Sequence, residues 1–335
     1  MKRALITGCG GFVGRHFAKR LLDDGWWVTG VDDLSAGLPP HQWMFRANYE
    51  VNLSFVEADV RRWFVAQGSS EGYDLIIHCA AVVGGRQKIE DDPLAVAQNF
   101  AIDADFFRWV SRAPQKGQKV VYFSSSAVYP TMFQRRETHC SLCESLVTFG
   151  GDRLGVPDET YGWAKLAGEY LARRAVECGV DVVIYRPFSG YGEDQDLAYP
   201  FPSIVRRAVA GEAPLVVWGS GDQVRDFVHI DDVVGCVMAT VWQLKPGEAL
   251  NIGSGDPTTF KELASKVMAE MNYVPPDRWP KSFTYIVGDK AKPEGVFWRV
   301  ADPAKMRQFY HPKVSLAKGV RRAVERQRLD TKVLV

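Results

Sequence analysis

The chain has 335 residues, 46% of them hydrophobic and 24% charged, with a formal net charge of +1. That length suits one large domain or two unequal lobes, and the scattered Lys and Arg form no basic stripe, which excludes a nucleic-acid or membrane-surface partner. Six cysteines (Cys9, Cys79, Cys140, Cys143, Cys178 and Cys236) are too few and too dispersed for a disulfide framework, and no apolar run approaches the roughly 18 residues of a membrane helix, so the reading is cytoplasmic.

Strand-sized apolar runs occur at Arg3 to Thr7, Trp27 to Asp32, Leu53 to Ala58, Asp74 to Cys79, Lys119 to Ser124 and Asp181 to Tyr185. Between them lie segments such as Val13 to Asp24 and Pro93 to Ser111, whose apolar residues recur at three and four. This βαβ rhythm predicts an α/β fold, a Rossmann-type doubly wound parallel sheet that binds ligands at its strand carboxyl ends. The rhythm weakens after Arg186, where Pro187, Pro200 and Pro202 mark loops, and Phe227 to Trp242 reads as a return to the sheet. The expected division is residues 1–186 plus 229–253 for the dinucleotide-binding domain. Residues 187–228 plus 254–330 then make a smaller, discontinuous C-terminal substrate lobe.

The first strand runs into Gly8-Cys-Gly-Gly11-Phe12-Val13-Gly14 and then into a helical pattern. Glycine at 8 permits a tight turn, Gly11 lets the backbone approach a pyrophosphate, and Gly14 allows close helix packing, while the helix N-terminus offers N–H groups. Asp32 ends the next strand about twenty residues on, where a carboxylate accepts ribose hydroxyls and repels a 2′-phosphate. NAD is therefore the expected cofactor. Arg15 reads as a solvated helix residue rather than a phosphate ligand.

Tyr161-Gly-Trp-Ala-Lys165 places a phenol and an ammonium on one helical face. A lysine cation, with a positive nicotinamide, lowers a phenol's pKa toward that of a working base. Upstream, Val120 to Phe123 is a buried strand ending in Ser124, Ser125 and Ser126, at the edge where a parallel sheet opens its crevice.

These stretches resemble a family. Val31-Asp-Asp-Leu-Ser-Ala-Gly37 is similar to the V-D-N-L-S-T-G of the extended short-chain dehydrogenases/reductases, UDP-galactose 4-epimerase among them. Asp59 and Val60 match the family's adenine-side Asp and its neighbour, His78-Cys-Ala80-Ala81 its H-x-A-A turn beside the cofactor, and Asn99 its helix asparagine. Ser124 to Pro130 resembles S-S-S-A-T-V-Y-G. The resemblance implies Ser125, Tyr161 and Lys165 as the catalytic set, with Ser126 beside it, acting on a nucleotide-diphosphate sugar. It also implies a homodimer through helices near 93–112 and 160–178.

Gly219 to His229 is similar to G-x-G-x-Q-x-R-D-F-x-H, and Trp298 to Asp302 to R-x-A-D. Arg225 and Arg299 are thereby implied as bidentate grips on the diphosphate. His229 reads as structural. Arg186 to Gly192 resembles R-x-x-N-x-Y-G with Ser189 in place of the substrate-contacting Asn.

Within this resemblance, the positions after the catalytic Ser/Thr separate the activities. Dehydratases carry Asp-Glu there and decarboxylases a Glu, whereas this chain has Ser126 and Ala127. The GDP-sugar epimerases and fucose synthases place a cysteine at Ala127 and a Lys or His where this chain has Tyr199. Simple 4-epimerisation needs neither and is the leading expectation. A GDP-sugar 3,5-epimerase comes second, because Val83-Gly-Gly85 and Lys292-Pro-Glu-Gly295 echo GDP-sugar enzymes and Tyr199 offers a variant acid. A dehydratase, a reductase and a non-catalytic NAD sensor or scaffold follow. The long 131–159 loop carries a single Cys140-x-x-Cys143 beside His139, which reads as free thiols, and no metal is expected.

Overall fold

The structure is a computed structural model that describes residues 1–44, 51–150, 154–271 and 285–333. The first half alternates strand and helix: β1 (Arg3–Thr7), α1 (Phe12–Asp23), β2 (Trp27–Asp32), β3 (Leu53–Glu57), α2 (Val60–Gln67) and β4 (Leu75–His78). After β4 come two short helices, α3 (Arg86–Asp91) and α4 (Pro93–Val96), then α5 (Gln98–Val110) and β5 (Lys119–Phe123). The predicted Pro93 to Ser111 helix is thus broken near Ala97. Asp92 caps the first piece by accepting the Ala95 N–H, with Pro93 at its first position.

The remaining elements are α6 (Glu159–Glu177), β6 (Val182–Pro187), β7 (Ser189–Tyr191), α7 (Pro200–Val209), β8 (Leu215–Trp218) and β9 (Val224–His229). They are followed by α8 (Ile230–Thr240), β10 (Ala249–Ile252), β11 (Pro257–Thr259), α9 (Phe260–Glu270), β12 (Ile286–Asp289), β13 (Trp298–Arg299) and α10 (Leu316–Val333).

Seven strands form one parallel sheet in the order β10-β6-β5-β4-β1-β2-β3. The central strands are apolar throughout because helices cover both faces. One face packs on α1 and α8 through Phe17, Leu21, Val233 and Val237, and the other on α2, α5 and α6 through Phe64, Phe106, Trp109 and Ala172. Chain order reverses between β1 and β4, so a crevice opens at their carboxyl ends, the place where such sheets bind ligands.

A smaller layer joins β11, β9 and β13, with β7 also pairing β9, and β8 pairs β12. Its core, built on Phe201, Ile204, Leu215, Leu263 and Val324, is covered by α7, α9 and α10. The return predicted from Phe227 to Trp242 is split by the fold: residues through His229 pair in this smaller sheet, while α8, with Val228 before it and Val241 after it, packs on the core of the large one. Among the described residues, no helix is long and apolar enough to cross a membrane.

Candidate active site

The glycine turn sits at the switch point. Gly8 has φ +70°, and a Cβ there would lie 2.6 Å from the Ala80 backbone nitrogen. A Cβ on Gly14 would lie 2.1 Å from the Gly8 carbonyl oxygen, which is the close helix approach that the spacing predicts. Gly11 stands as the extended residue before α1, followed by Phe12 and Val13 in its first turn. Asp32 closes β2 with its carboxylate accepting from Gly10 N at 2.9 Å and Leu34 N at 2.8 Å. Burial pushes its pKa up against those backbone bonds.

Arg15 corrects the sequence reading. It is only 4% exposed and its guanidinium donates to the Asp194 side chain at 2.8 Å and to the Gly10 carbonyl. It ties the glycine turn to the loop after β7, a contact 179 positions apart in sequence that helix periodicity does not reveal.

Asp59 caps α2 from the end of the β3 connection and pairs with Arg61 at 2.8 Å, and Val60 is buried behind it. Asn99 is fully buried on α5. Its amide accepts from Val82 N at 2.7 Å and donates to the Val82 carbonyl at 2.9 Å. Both sides of the amide are thereby spent on the strand-end loop that carries Ala80 and Ala81.

On the other half of the crevice, Ser125 follows β5 and its Oγ accepts the Ala127 N–H at 3.1 Å. Tyr161 of α6 lies within reach of the Ser125 side chain. Desolvation pushes the Tyr161 phenol up to about 12, Ser125 partly offsets the rise, and the Asp103 charge adds to it. Lys165, one turn on, is 3% exposed, and its ammonium lies 5.1 Å over the Tyr122 ring. Gly162 lets α6 press onto the serine turn, since a Cβ there would lie 2.5 Å from the Ala127 carbonyl oxygen. Ser126 and Ala127 are both buried beneath this contact.

Tyr199 precedes α7 and lies within electrostatic reach of Tyr161, and burial pushes its phenol well above its ordinary value. Ser189 opens β7, opposite Phe227 of β9.

The parallel pairing of β13 with β9 sets Arg299 directly beside Arg225. Arg225 stacks over Phe260 at 5.6 Å and donates to the Val224 carbonyl. Burial pulls its pKa down to about 9, and the neighbouring Arg299 and Arg86 cations pull the same way. Arg299 donates to Asp158 at 2.8 Å and to Gln134 at 2.8 Å, and Arg86 donates to the same Asp158 at 2.9 Å. Arg86 and Arg299 thus converge on one buried carboxylate, Arg86 also meets Glu90 and Glu159, and Arg225 lies within electrostatic reach of the group.

Sequence reasoning missed Arg86 and Asp158. Their only signals were that Arg86 closes the Val83-Gly-Gly85 stretch and that Asp158 precedes Tyr161 by less than one helical turn. The 131–159 loop gains a role as well: Gln134 holds Arg299, Leu142 bridges Ala301, and the His139 ring packs 4.4 Å from Trp298. Cys140 and Cys143 are free thiols. His229 caps α8 and bonds Glu193, as a structural residue does. Among the described residues no group of three or more His, Cys, Asp or Glu is arranged to hold a metal ion.

A glycine turn at the switch point of a parallel sheet, with Ser, Tyr and Lys at the neighbouring strand end, defines a dinucleotide-dependent enzyme fold of the extended short-chain dehydrogenase/reductase type. The model of the NAD dependent epimerase/dehydratase family matches residues 4–253, and the chain belongs to that family.

It is 28% identical to a UDP-N-acetyl-alpha-D-glucosaminuronate decarboxylase of Bacillus cytotoxicus, over 97% of each chain. It is also 28% identical to a UDP-glucose 4-epimerase of Mycolicibacterium smegmatis, over 96% of this chain and 97% of the relative. Among solved structures, the dTDP-glucose 4,6-dehydratase DesIV of Streptomyces venezuelae superposes with a TM-score of 0.81 at 25% identity, covering 99% of this chain and 98% of that one.

The residues present fit NAD, the family's cofactor. Side chains at Gly8 and Gly14 would close the cradle, and the Asp32 carboxylate stands at the strand end with no cation bonded to it among the described residues.

Proposed function

We propose that this chain is an NAD-dependent nucleotide-sugar epimerase that oxidises the C4 hydroxyl to a ketone and returns hydride to the opposite face. The observation that carries the reading is Ser125 within reach of the Tyr161 phenol, with buried Lys165 one turn along the same helix and Ser126 and Ala127 adjoining Ser125 and offering no acid or base for elimination. Gly8, Gly11, Phe12, Val13 and Gly14 would hold the pyrophosphate, Asp32 the ribose, and Asp59 and Val60 the adenine side. Ala80 and Ala81, braced by Asn99, would flank the nicotinamide end with Tyr161 and Lys165.

Bound NAD supplies the hydride acceptor and a positive ring charge. Tyr161 takes the sugar hydroxyl proton during oxidation and returns it during reduction, while Ser125 steadies that hydroxyl. The phenol at about 12 describes the cofactor-free surroundings, and a base near neutral pH needs the added positive charge beside it. Arg225 and Arg299 grip the diphosphate, leaving the sugar free to turn over between the two hydride transfers.

A second reading, a GDP-sugar 3,5-epimerase, is favoured by the Tyr199 phenol close to Tyr161, which offers a further proton carrier near the ring. Incubation with UDP-, GDP-, dTDP- and CDP-sugars in deuterated water, followed by NMR, separates the two. Inversion at C4 without carbon-bound deuterium supports the first reading, and deuterium at C3 or C5 supports the second. NAD binding with no turnover of any nucleotide sugar would leave a sensor or scaffold.

We also infer a homodimer through α5 and α6. These neighbouring helices expose Phe100 at 41%, Trp163 at 42% and Tyr170 at 46%. Light scattering at twice the chain mass is the expected result.

A further inference from the structure

Asp103 on α5 is 1% exposed, and nothing in the proposed reaction calls for a carboxylate at its position. Its Oδ2 accepts the Tyr122 hydroxyl of β5 at 2.5 Å, and its Oδ1 lies 3.2 Å from His78 Nε2 at the end of β4. The other ring nitrogen of His78 lies 2.7 Å from the Thr7 hydroxyl on β1, and the ring stacks on Phe106 at 3.8 Å. Burial lowers the His78 pKa, so the ring is neutral, giving one proton to Asp103 and accepting the Thr7 hydroxyl.

The carboxylate is pressed against the helix that carries Tyr161 and Lys165. At Gly168, one turn beyond Lys165, a Cβ would lie 1.8 Å from the Tyr122 hydroxyl and 2.6 Å from Asp103 Oδ2. The Lys165 ammonium sits over the same Tyr122 ring whose hydroxyl Asp103 holds. Among the described residues no carboxylate is in direct ion-pair contact with Lys165, although it is buried. A buried ammonium needs a compensating charge nearby.

The groups that face Lys165 are His78 and Cys79 from the β4 end, Tyr122 from β5, Asp103 from α5, and Tyr161 on its own helix. Glu169, one turn further along α6, is already bound by Arg186 and Ser124. Asp103 is thus the one anion in this set that Lys165 does not share with an arginine.

We propose that Asp103 is the counter-ion of Lys165, a positioning residue that holds the ammonium against Tyr122 and facing Tyr161. Tyr122 and His78 each hold one oxygen of the carboxylate and so fix its position. The inference rests on the reading of Tyr161 and Lys165 as the reacting pair, and it holds whichever sugar is turned over. Burial works to raise the Asp103 pKa, and Lys165, His78 and Tyr122 together outweigh it and hold it below the ordinary carboxylate value.

The test is reciprocal. In the NAD-loaded protein carrying ¹³C-labelled lysine and aspartate, Asp103→Asn should move the titration of the Lys165 resonance down by about one pH unit or more. Lys165→Met should move the Asp103 carboxyl titration up by a similar amount, and each variant assigns the resonance it deletes. Tyr122→Phe, which removes a hydrogen bond but no charge at working pH, should leave the Lys165 titration nearly unmoved.

Asp103→Asn should also make kcat fall at lower pH than in the parent, following the Lys165 titration as the unpaired ammonium loses its proton. Absence of both resonance shifts in folded variants, or an equal shift in Tyr122→Phe, overturns the proposal. Where Asp103→Asn does not fold, the Lys165→Met arm decides alone. Lack of turnover on every nucleotide sugar would defeat the functional reading and leave these titrations untouched.

Discussion

Arg186 and Glu169 form a fully buried ion pair between β6 and α6, with the guanidinium donating to both carboxylate oxygens at 2.8 and 2.7 Å. The remaining capacity is used as well: Ser124 donates to Glu169, and Arg186 also donates to the Tyr129 hydroxyl and the Glu144 carbonyl. The pair fastens the helix bearing Tyr161 and Lys165 to β6, and the Ser124 bond ties the same carboxylate to the end of β5 that leads into Ser125. Removing one partner strands a buried charge. Arg186→Met should therefore cost about 3–5 kcal/mol, read as a fall in the urea midpoint, whereas the double change with Glu169→Leu should recover part of the loss.

Arg225 behaves in the opposite sense. Its guanidinium is desolvated beside two other arginines and stacks on Phe260, and among the described residues no carboxylate is bonded to it. Such an arrangement costs stability, a cost that the proposed grip on a diphosphate would explain. Arg225→Met should raise the melting temperature and, in calorimetry with a nucleotide sugar, weaken binding by at least about tenfold. Loss of both stability and affinity would contradict this.

Asp158 sets an acid limit on stability. Burial works to raise its pKa, and the Arg299 and Arg86 cations outweigh it, holding the carboxyl at about 2. A folded pKa below the unfolded value of about 3.9 means stability that is fully present above pH 4 and lost as the pH falls toward 2. Asp194, held at about 2 by His16 and Arg15 against burial, adds to the same window. Asp158→Asn should flatten the unfolding free energy between pH 4 and pH 2 and lower it at neutral pH, as measured by urea titrations at each pH.

Gly14→Ala tests the cofactor cradle. The added Cβ would lie 2.1 Å from the Gly8 carbonyl oxygen, so α1 must move away from the turn. NAD affinity should fall at least about tenfold by fluorescence titration. Gly150→Ala, where nothing lies within 4 Å of the new Cβ, should leave it unchanged.

Tyr161→Phe keeps the helix and removes the proton carrier. Turnover of a nucleotide sugar should drop by about 10²–10⁴-fold with NAD binding intact. Unchanged turnover would end the assignment of Tyr161 as the base.

Much of the fold was legible because its signals are local. Apolar runs of strand length, the helical period between them and the glycine turn after β1 each depend on residues close in sequence, and β1 and β2 appear with the predicted bounds. Tyr161 and Lys165 were legible for the same reason, one helix turn apart, whereas Ser125 was singled out among three strand-end serines by the family resemblance. The break near Ala97 was harder to see, because apolar residues keep their period across it.

What the sequence by itself determined is the parallel sheet and its glycine turn, written in short-range periodicity and turn chemistry, and the tyrosine and lysine that share one helix face. Only the tertiary structure decided where the charges went. Arg15 meets Asp194 across 179 positions, Arg299 meets Asp158 across 141, and Asp103 reaches His78 and Tyr122 across 25 and 19. A lone charged residue reads as a solvated one until the fold removes its water, and burial then forces each charge to find the partner that packing brings beside it.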